Sequence, residues 1–148
     1  MNCPICGSKS LKTTNTRPTK SGAQTWRRKE CMTCHCAITT YEKPDMGWLS
    51  VRQAAKNKTT LYRKSILLRS LINAFSDEEL AEIDIDSMLD TIELKIVSNR
   101  TTIIDDSALL KIVLNTIKPI SLSAYMRYLA EHSSPQNQRQ LNSLIKSI

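Results

Sequence analysis

Cys3-Pro-Ile-Cys6-Gly7 and Cys31-Met-Thr-Cys34 are two Cys-x2-Cys pairs with 24 residues between them. Each pair puts two thiolates on one tight turn, where backbone N–H groups point at the sulfurs, and Gly7 permits a left-handed backbone after the second ligand. Two such turns brought together offer four thiolates to one ion, a tetrahedral sulfur set suited to Zn²⁺. Four protein ligands leave no open position, so the expected role is structural and not catalytic. An iron–sulfur or redox role is the competing reading. His35 and Cys36 follow the second pair directly. Either could replace Cys34 in principle, but Cys34 completes the two-residue loop, and Cys36 is then expected as a strand residue that packs or stays partly exposed.

The residues between the pairs are basic: Arg17, Lys20, Arg27, Arg28 and Lys29. Arginine forks to guanine or to a phosphate, and lysine supplies diffuse attraction to a nucleic-acid backbone. Strand alternation over residues 24–30 puts Trp26 and Arg28 on one face and Arg27 and Lys29 on the other. These five cations, with Trp26 as a stacking side chain, are the candidate DNA contacts. Trp26 is also expected to be the main core residue of the segment. The competing reading is that the cations only keep a small sheet in solution.

These residues need elements to hold them. Residues 12–16 suit a strand, Pro18 to Gly22 a loop, residues 23–30 a returning strand, and residues 37–42 a third. All five cysteines lie in the first 36 residues, which contain few large apolar side chains. Such a segment cannot offset its chain entropy by burial alone and needs a staple. Charge divides the same way. Residues 1–64 carry 13 Lys/Arg against three acids, while residues 65–148 carry eight against eleven, within an overall +7. A basic, cysteine-rich half is where a polyanion would bind.

From about residue 62 the pattern becomes helical. Residues 63–75 repeat apolar side chains three and four apart, Ser76 to Glu79 reads as a capping box, and residues 87–98 turn Met88, Leu89, Ile92 and Ile96 inward. Asp105 or Asp106 is expected to cap a helix through Leu109, Leu110, Val113 and Ile117, closed by Pro119. Ser121 opens a last helix carrying Leu122, Tyr125, Met126 and Leu129. The organisation expected is a ribbon over 1–44, a basic linker or short strand region over 45–61, a helical domain over 62–132 and an amphipathic tail over 133–148. In the linker, Leu49 to Val51 could be a strand, and Arg52, Lys56 and Lys58 have no acids near them in sequence. No apolar run is long enough to span a bilayer, there is no apolar signal stretch, and the cysteine number is odd, so a cytoplasmic protein is expected. No catalytic set is evident: His132 beside Glu131 reads as a helix-end cap, and no enzyme is expected.

Cys3-Pro-x-Cys6-Gly7, Arg17-Pro18, Gly22, Arg27-Arg28-x-Glu30-Cys31-x-x-Cys34 and Thr39-Thr40-Tyr41-Glu42 closely resemble the zinc ribbon of NrdR-type bacterial repressors. Residues 63–75 and Ala124-Tyr-Met-Arg127-Tyr128 are similar to the first long helix and a late motif of that family's ATP-cone, so the resemblance spans about residues 1–132. It implies an α+β protein, a three-stranded antiparallel zinc ribbon followed by a mainly helical ATP-cone-like domain. It also implies a homo-oligomer on double-stranded DNA, repressing ribonucleotide reductase genes in response to ATP or dATP. On that resemblance Arg52, Lys56, Lys64 and Tyr128 are the candidate nucleotide contacts. The family's phosphate-cradling Lys-Arg-Asp-Gly-like turn is here Val51 to Asn57, without the glycine or aspartate, a change expected to remove phosphate partners and the permissive turn together. Ogr/Delta-type phage activators also look similar, through a finger ending in Thr-Tyr-Glu, but space their second cysteine pair more widely.

Two functions fit. The first is a zinc-dependent DNA-binding repressor that oligomerises through a divergent cone. The second is an interaction adaptor whose ribbon grips a polymerase or replication protein, of phage or mobile-element origin.

Overall fold

The computed structural model describes residues 1–19 and 24–132. Lys20, Gly22 and the tail 133–148 lie outside the described residues. The chain forms two compact units, Met1–Asp45 and Met46–Ile148.

Unit 1 is a three-stranded antiparallel sheet in the order β1-β2-β3, with β1 Leu11–Pro18, β2 Thr25–Cys31 and β3 Ala37–Glu42. Thr-rich and β-branched residues suit β1 and β3, and the mostly charged β2 pairs with both between them. A bulge falls between Thr13 and Asn15. Both knuckles close with the same hydrogen bonds. Gly7 N–H donates to Cys3 C=O (2.9 Å) and Cys3 N–H to Ser8 C=O (2.8 Å); His35 N–H donates to Cys31 C=O (2.8 Å) and Cys31 N–H to Cys36 C=O (3.0 Å). Gly7 and His35 are therefore equivalent, and both are left-handed, at φ 73° and 56°. Trp26 is not the buried core expected of it: it is half-buried, and among the described residues of this unit only Cys3 and Cys31 are buried.

Unit 2 contains more sheet than its sequence suggests. Its three strands run in the order β5-β4-β6: β4 Ser50–Gln53 pairs antiparallel with β5 Lys58–Leu61 and parallel with β6 Ile103–Asp105. The β4–β5 turn is one 3₁₀ turn followed by Asn57 at φ 46°. Asparagine tolerates this conformation, so a left-handed turn persists here without the glycine whose loss was expected to remove it. Five helices follow: α1 Lys64–Ala74, α2 Asp77–Glu82, α3 Ile85–Ser98, α4 Asp106–Ile117 and α5 Leu122–His132. They pack on one core that includes Leu49, Leu71, Leu89, Ile92, Ile96, Val113 and Ile117, with Ile104 from the sheet. Among the described residues no helix is long and apolar enough to cross a membrane.

Met88, Leu89, Ile92 and Ile96 are buried as the helical period predicts. On α5 the buried residues are Ala124, Tyr125, Tyr128 and Leu129, whereas Leu122 and Met126, expected inward, are exposed. Asp105 stands at the N-cap of α4 without a side-chain cap bond, because its carboxylate is taken by Arg52. The capping box of α2 is complete: Ser76 Oγ accepts from Glu79 N–H (3.3 Å) and Glu79 Oε2 accepts from Ser76 N–H (2.8 Å). Glu79 then ties α2 to α5, accepting from Ser121 Oγ, Ser123 Oγ (2.8 Å) and Arg127 Nη2 (2.6 Å).

A side chain at a left-handed position is strained. Gly7→Ala should weaken the ribbon by about 1 kcal/mol and His35→Gly should strengthen it by a similar amount, read as zinc affinity by chelator competition because metal binding and folding are coupled. The Ser121 hydroxyl, the Ser76 N–H and the Ser123 hydroxyl, with Arg127 beside them, hold the Glu79 carboxyl down at about 2. A depressed carboxyl contributes stability that is present above its unfolded value, about 4.3, and is lost as pH falls through the folded one. The stability difference between wild type and Glu79→Gln, followed by helical circular dichroism, should therefore shrink from about pH 4.3 towards pH 2.

Candidate metal centre and nucleic-acid interface

The two knuckles meet at the end of the ribbon sheet where Leu11 pairs with Cys31. The ligand atoms of Cys3, Cys6, Cys31 and Cys34 all lie within 4.8 Å of one another. Cys3 Sγ is 3.7 Å from Cys34 Sγ and Cys6 Sγ is 3.6 Å from Cys31 Sγ. Sulfurs about 2.3 Å from a tetrahedral zinc stand about 3.8 Å apart, so these two opposite edges already have the required length. The donor set and its spacing fit Zn²⁺, which Cys3, Cys6, Cys31 and Cys34 would hold. When bound, the ion joins the knuckles and supplies no reactive position.

Local electrostatics divide the thiols. The Cys6 N–H, against the cost of burial, and then the Ile5 N–H bring the Cys3 thiol down to about 6. The N–H groups of Cys34 and Thr33 lower Cys31 in the same way. The Ser8 N–H pulls Cys6 down, but burial and the adjacent thiols raise it on balance to about 12. Four thiolates this close repel one another, and a dication is what relieves them. His35 stays outside the cluster, with Nδ1 3.8 Å from Glu30 and the side chain 74% exposed. Cys36 is outside the tetrad but touches it.

The strand register sorts the basic residues. Arg17, Trp26 and Tyr41 pair directly across the three strands, as do Asn15, Arg28 and Thr39. Directly paired residues share a face, so Arg17, Trp26, Arg28 and Tyr41 lie together. Arg17 and Arg28 are exposed and Tyr41 is 59% exposed. Arg27 and Lys29 are on the opposite face, with Thr40 and Ile38 beside them. Arg27 is occupied: Nε is 2.8 Å from Glu42 Oε1 and Nη2 donates to Oε2 at 3.0 Å. Tyr41 is absent from the sequence-derived contacts, although counting strand alternation across the hairpin would have placed it beside Trp26.

In unit 2 a cavity of about 660 Å³ is lined by Lys56, Arg63, Ser70, Asp106, Tyr128 and His132, among others. The Tyr128 and His132 rings stack at 4.1 Å, and His132 Nδ1 is 3.0 Å from the Tyr128 carbonyl in the last turn of α5. Of the four residues predicted to meet nucleotide, Lys56 and Tyr128 line this cavity and the other two do not. Arg52, with no acid near it in sequence, forks to Asp105 at 2.6 and 3.1 Å because β4 and β6 place the two residues opposite one another. Lys64 reaches Asp90 (3.2 Å) and Glu93 (3.5 Å), the latter also accepting from the Tyr62 hydroxyl (3.1 Å). Burial, then the Glu93 carboxylate, raises Tyr62 and keeps it a neutral donor.

Comparison with known proteins agrees with this geometry. Residues 1–42 match the family model described as Transcriptional repressor NrdR-like, N-terminal domain. The chain is 31% identical over 128 residues to a protein of Alkaliphilus oremlandii named Transcriptional repressor NrdR, covering 86% of this chain and 82% of the relative. A protein of the same name from Fervidobacterium nodosum is 26% identical over 148 residues, 100% of this chain and 96% of its own length. Another, from Halorubrum lacusprofundi, is 26% identical over 152 residues, or 99% and 93% of the two chains. The similarity runs through both units, and the chain belongs to the NrdR family of transcriptional repressors.

Proposed function

We propose that this chain is a zinc-dependent repressor that binds duplex DNA through its ribbon and assembles through unit 2, so that several ribbons engage one site together. The observation that carries the reading is the sheet face bearing Arg17, Arg28, Trp26 and Tyr41, held at one end by the thiol tetrad. Exposed guanidiniums meet phosphates or guanine edges, and each phosphate contact makes binding salt-dependent. One ribbon is a small module, and linking several raises the effective concentration of each. The repressor role, and with it a place in the cytoplasm beside the DNA, rests on family membership.

The same reading assigns ATP or dATP to the cavity of unit 2. The Tyr128 and His132 rings suit a base, and Lys56 and Arg63 are the cations for phosphate. Asp106 lines the same cavity and opposes the phosphate charge, so binding is expected to be weak and sensitive to salt.

The zinc-loaded protein should bind duplex DNA with a steep salt dependence and lose binding when the metal is removed by a chelator. Arg17→Ala and Arg28→Ala should each weaken binding and lower the salt slope by about one. Arg27→Ala should have a smaller effect, since Glu42 already holds that guanidinium. Unchanged affinity in an Arg17→Ala/Arg28→Ala double variant would reject the face. Calorimetric titration with ATP and dATP should give saturable heat that Lys56→Ala diminishes. No heat and no change in subunit number would leave unit 2 as an assembly module alone.

A further inference from the structure

The ribbon has one thiol more than its metal needs. Cys36 Sγ lies 3.2 Å from Cys34 Sγ and 3.4 Å from Cys3 Sγ, closer than the ligand edges of 3.7 and 3.6 Å. The backbone puts it there. His35 in the left-handed region turns the chain back, and the Cys31 N–H holds the Cys36 carbonyl at 3.0 Å. The equivalent position in the first knuckle is Ser8, whose hydroxyl accepts from Thr33 Oγ1 at 2.8 Å. One knuckle thus carries a hydroxyl where the other carries a group that can be oxidised.

Access selects the partner. Cys3 is buried, Cys34 is exposed and Cys36 is half-buried, so the pair open to a small solute is Cys34 with Cys36. Cys6 is also exposed, but its nearest thiol, Cys31, is itself a buried ligand. We propose that Cys34 and Cys36 form an oxidative modification site, where a peroxide joins a zinc ligand to its neighbour as a disulfide and the metal is released. The proposal rests on the reading of the tetrad as a zinc site.

The chemistry balances with peroxide as the oxidant. The Cys34 thiolate attacks one peroxide oxygen, the O–O bond breaks, and hydroxide leaves, giving a sulfenic acid on Cys34. Cys36 sulfur then attacks Cys34 sulfur, the S–O bond breaks, and the departing hydroxide takes the Cys36 thiol proton to leave as water. Two electrons pass from the two sulfurs to the peroxide. The sulfurs must close from 3.2 Å to about 2.05 Å. The tetrad would then offer a metal three thiolates instead of four, in a unit whose only buried described side chains are Cys3 and Cys31.

The test treats the zinc-loaded full-length chain with hydrogen peroxide while a chromogenic chelator reads metal release and peptide mass mapping reads the cysteines. Wild type should release zinc together with the loss of two hydrogens from the peptide holding Cys34 and Cys36, and dithiothreitol should restore both. Cys36→Ser should still bind zinc, release it severalfold more slowly, and end with Cys34 in oxygenated forms that dithiothreitol does not reverse. A wild-type chain that releases zinc with Cys36 still a free thiol overturns the proposal while the zinc site stands, as does equal, equally reversible release from Cys36→Ser. Untreated protein that holds no zinc overturns the zinc reading and the proposal together.

Discussion

Convergence of four thiolates on one cation is the constraint on which the ribbon depends. Unit 1 is a sheet whose described side chains are exposed or half-buried, apart from the buried Cys3 and Cys31. Hydrophobic burial at ~25 cal/mol per Å² has little area to act on here. The knuckle hydrogen bonds, the short sulfur separations and the lowered Cys3 and Cys31 thiols all prepare a place for a dication. The sheet that bears the face proposed to meet DNA has the thiol tetrad at one end.

Unit 2 is built on the opposite principle. Its core is apolar and continuous, and its polar groups are used at joints: Glu79 between α2 and α5, Glu93 between Tyr62 and Lys64, and Arg52 with Asp105 between β4 and β6. Spending cations on joints changes what remains for a ligand. Arg52 and Lys64 are committed to carboxylates, and the cavity keeps Lys56 and Arg63. In unit 2, basic side chains that a polyanion could use are thus taken up in holding the fold.

What could be read in the sequence was what is local. Two Cys-x2-Cys pairs name their own turns, a period of two separates Arg27 from Arg28, and a period near 3.6 finds the inward residues of α3. The features missed depend on distant residues. Tyr41 joins the basic face only through the register of β3 on β2, and Asp105 finds Arg52 only because β6 pairs with β4. Strands of three or four residues such as Ile103–Asp105 and Lys58–Leu61 are too short to show a period. The outward turn of Leu122 and Met126 is a choice among nearly equivalent helix faces, settled by where the neighbouring helices lie.

The parallel pairing of β4 with β6 also bears on how the protein is made. β4 is the central strand, yet one of its neighbours, beginning at Ile103, is synthesised only after α1, α2 and α3. A nascent chain therefore carries β4 with one edge open until some fifty residues have followed it, the slow closure expected of non-local pairing. The ribbon, complete by Glu42, can fold around its metal while that edge is still waiting. Synthesis in this order yields a module with its basic face formed before the unit proposed to assemble it has closed its sheet.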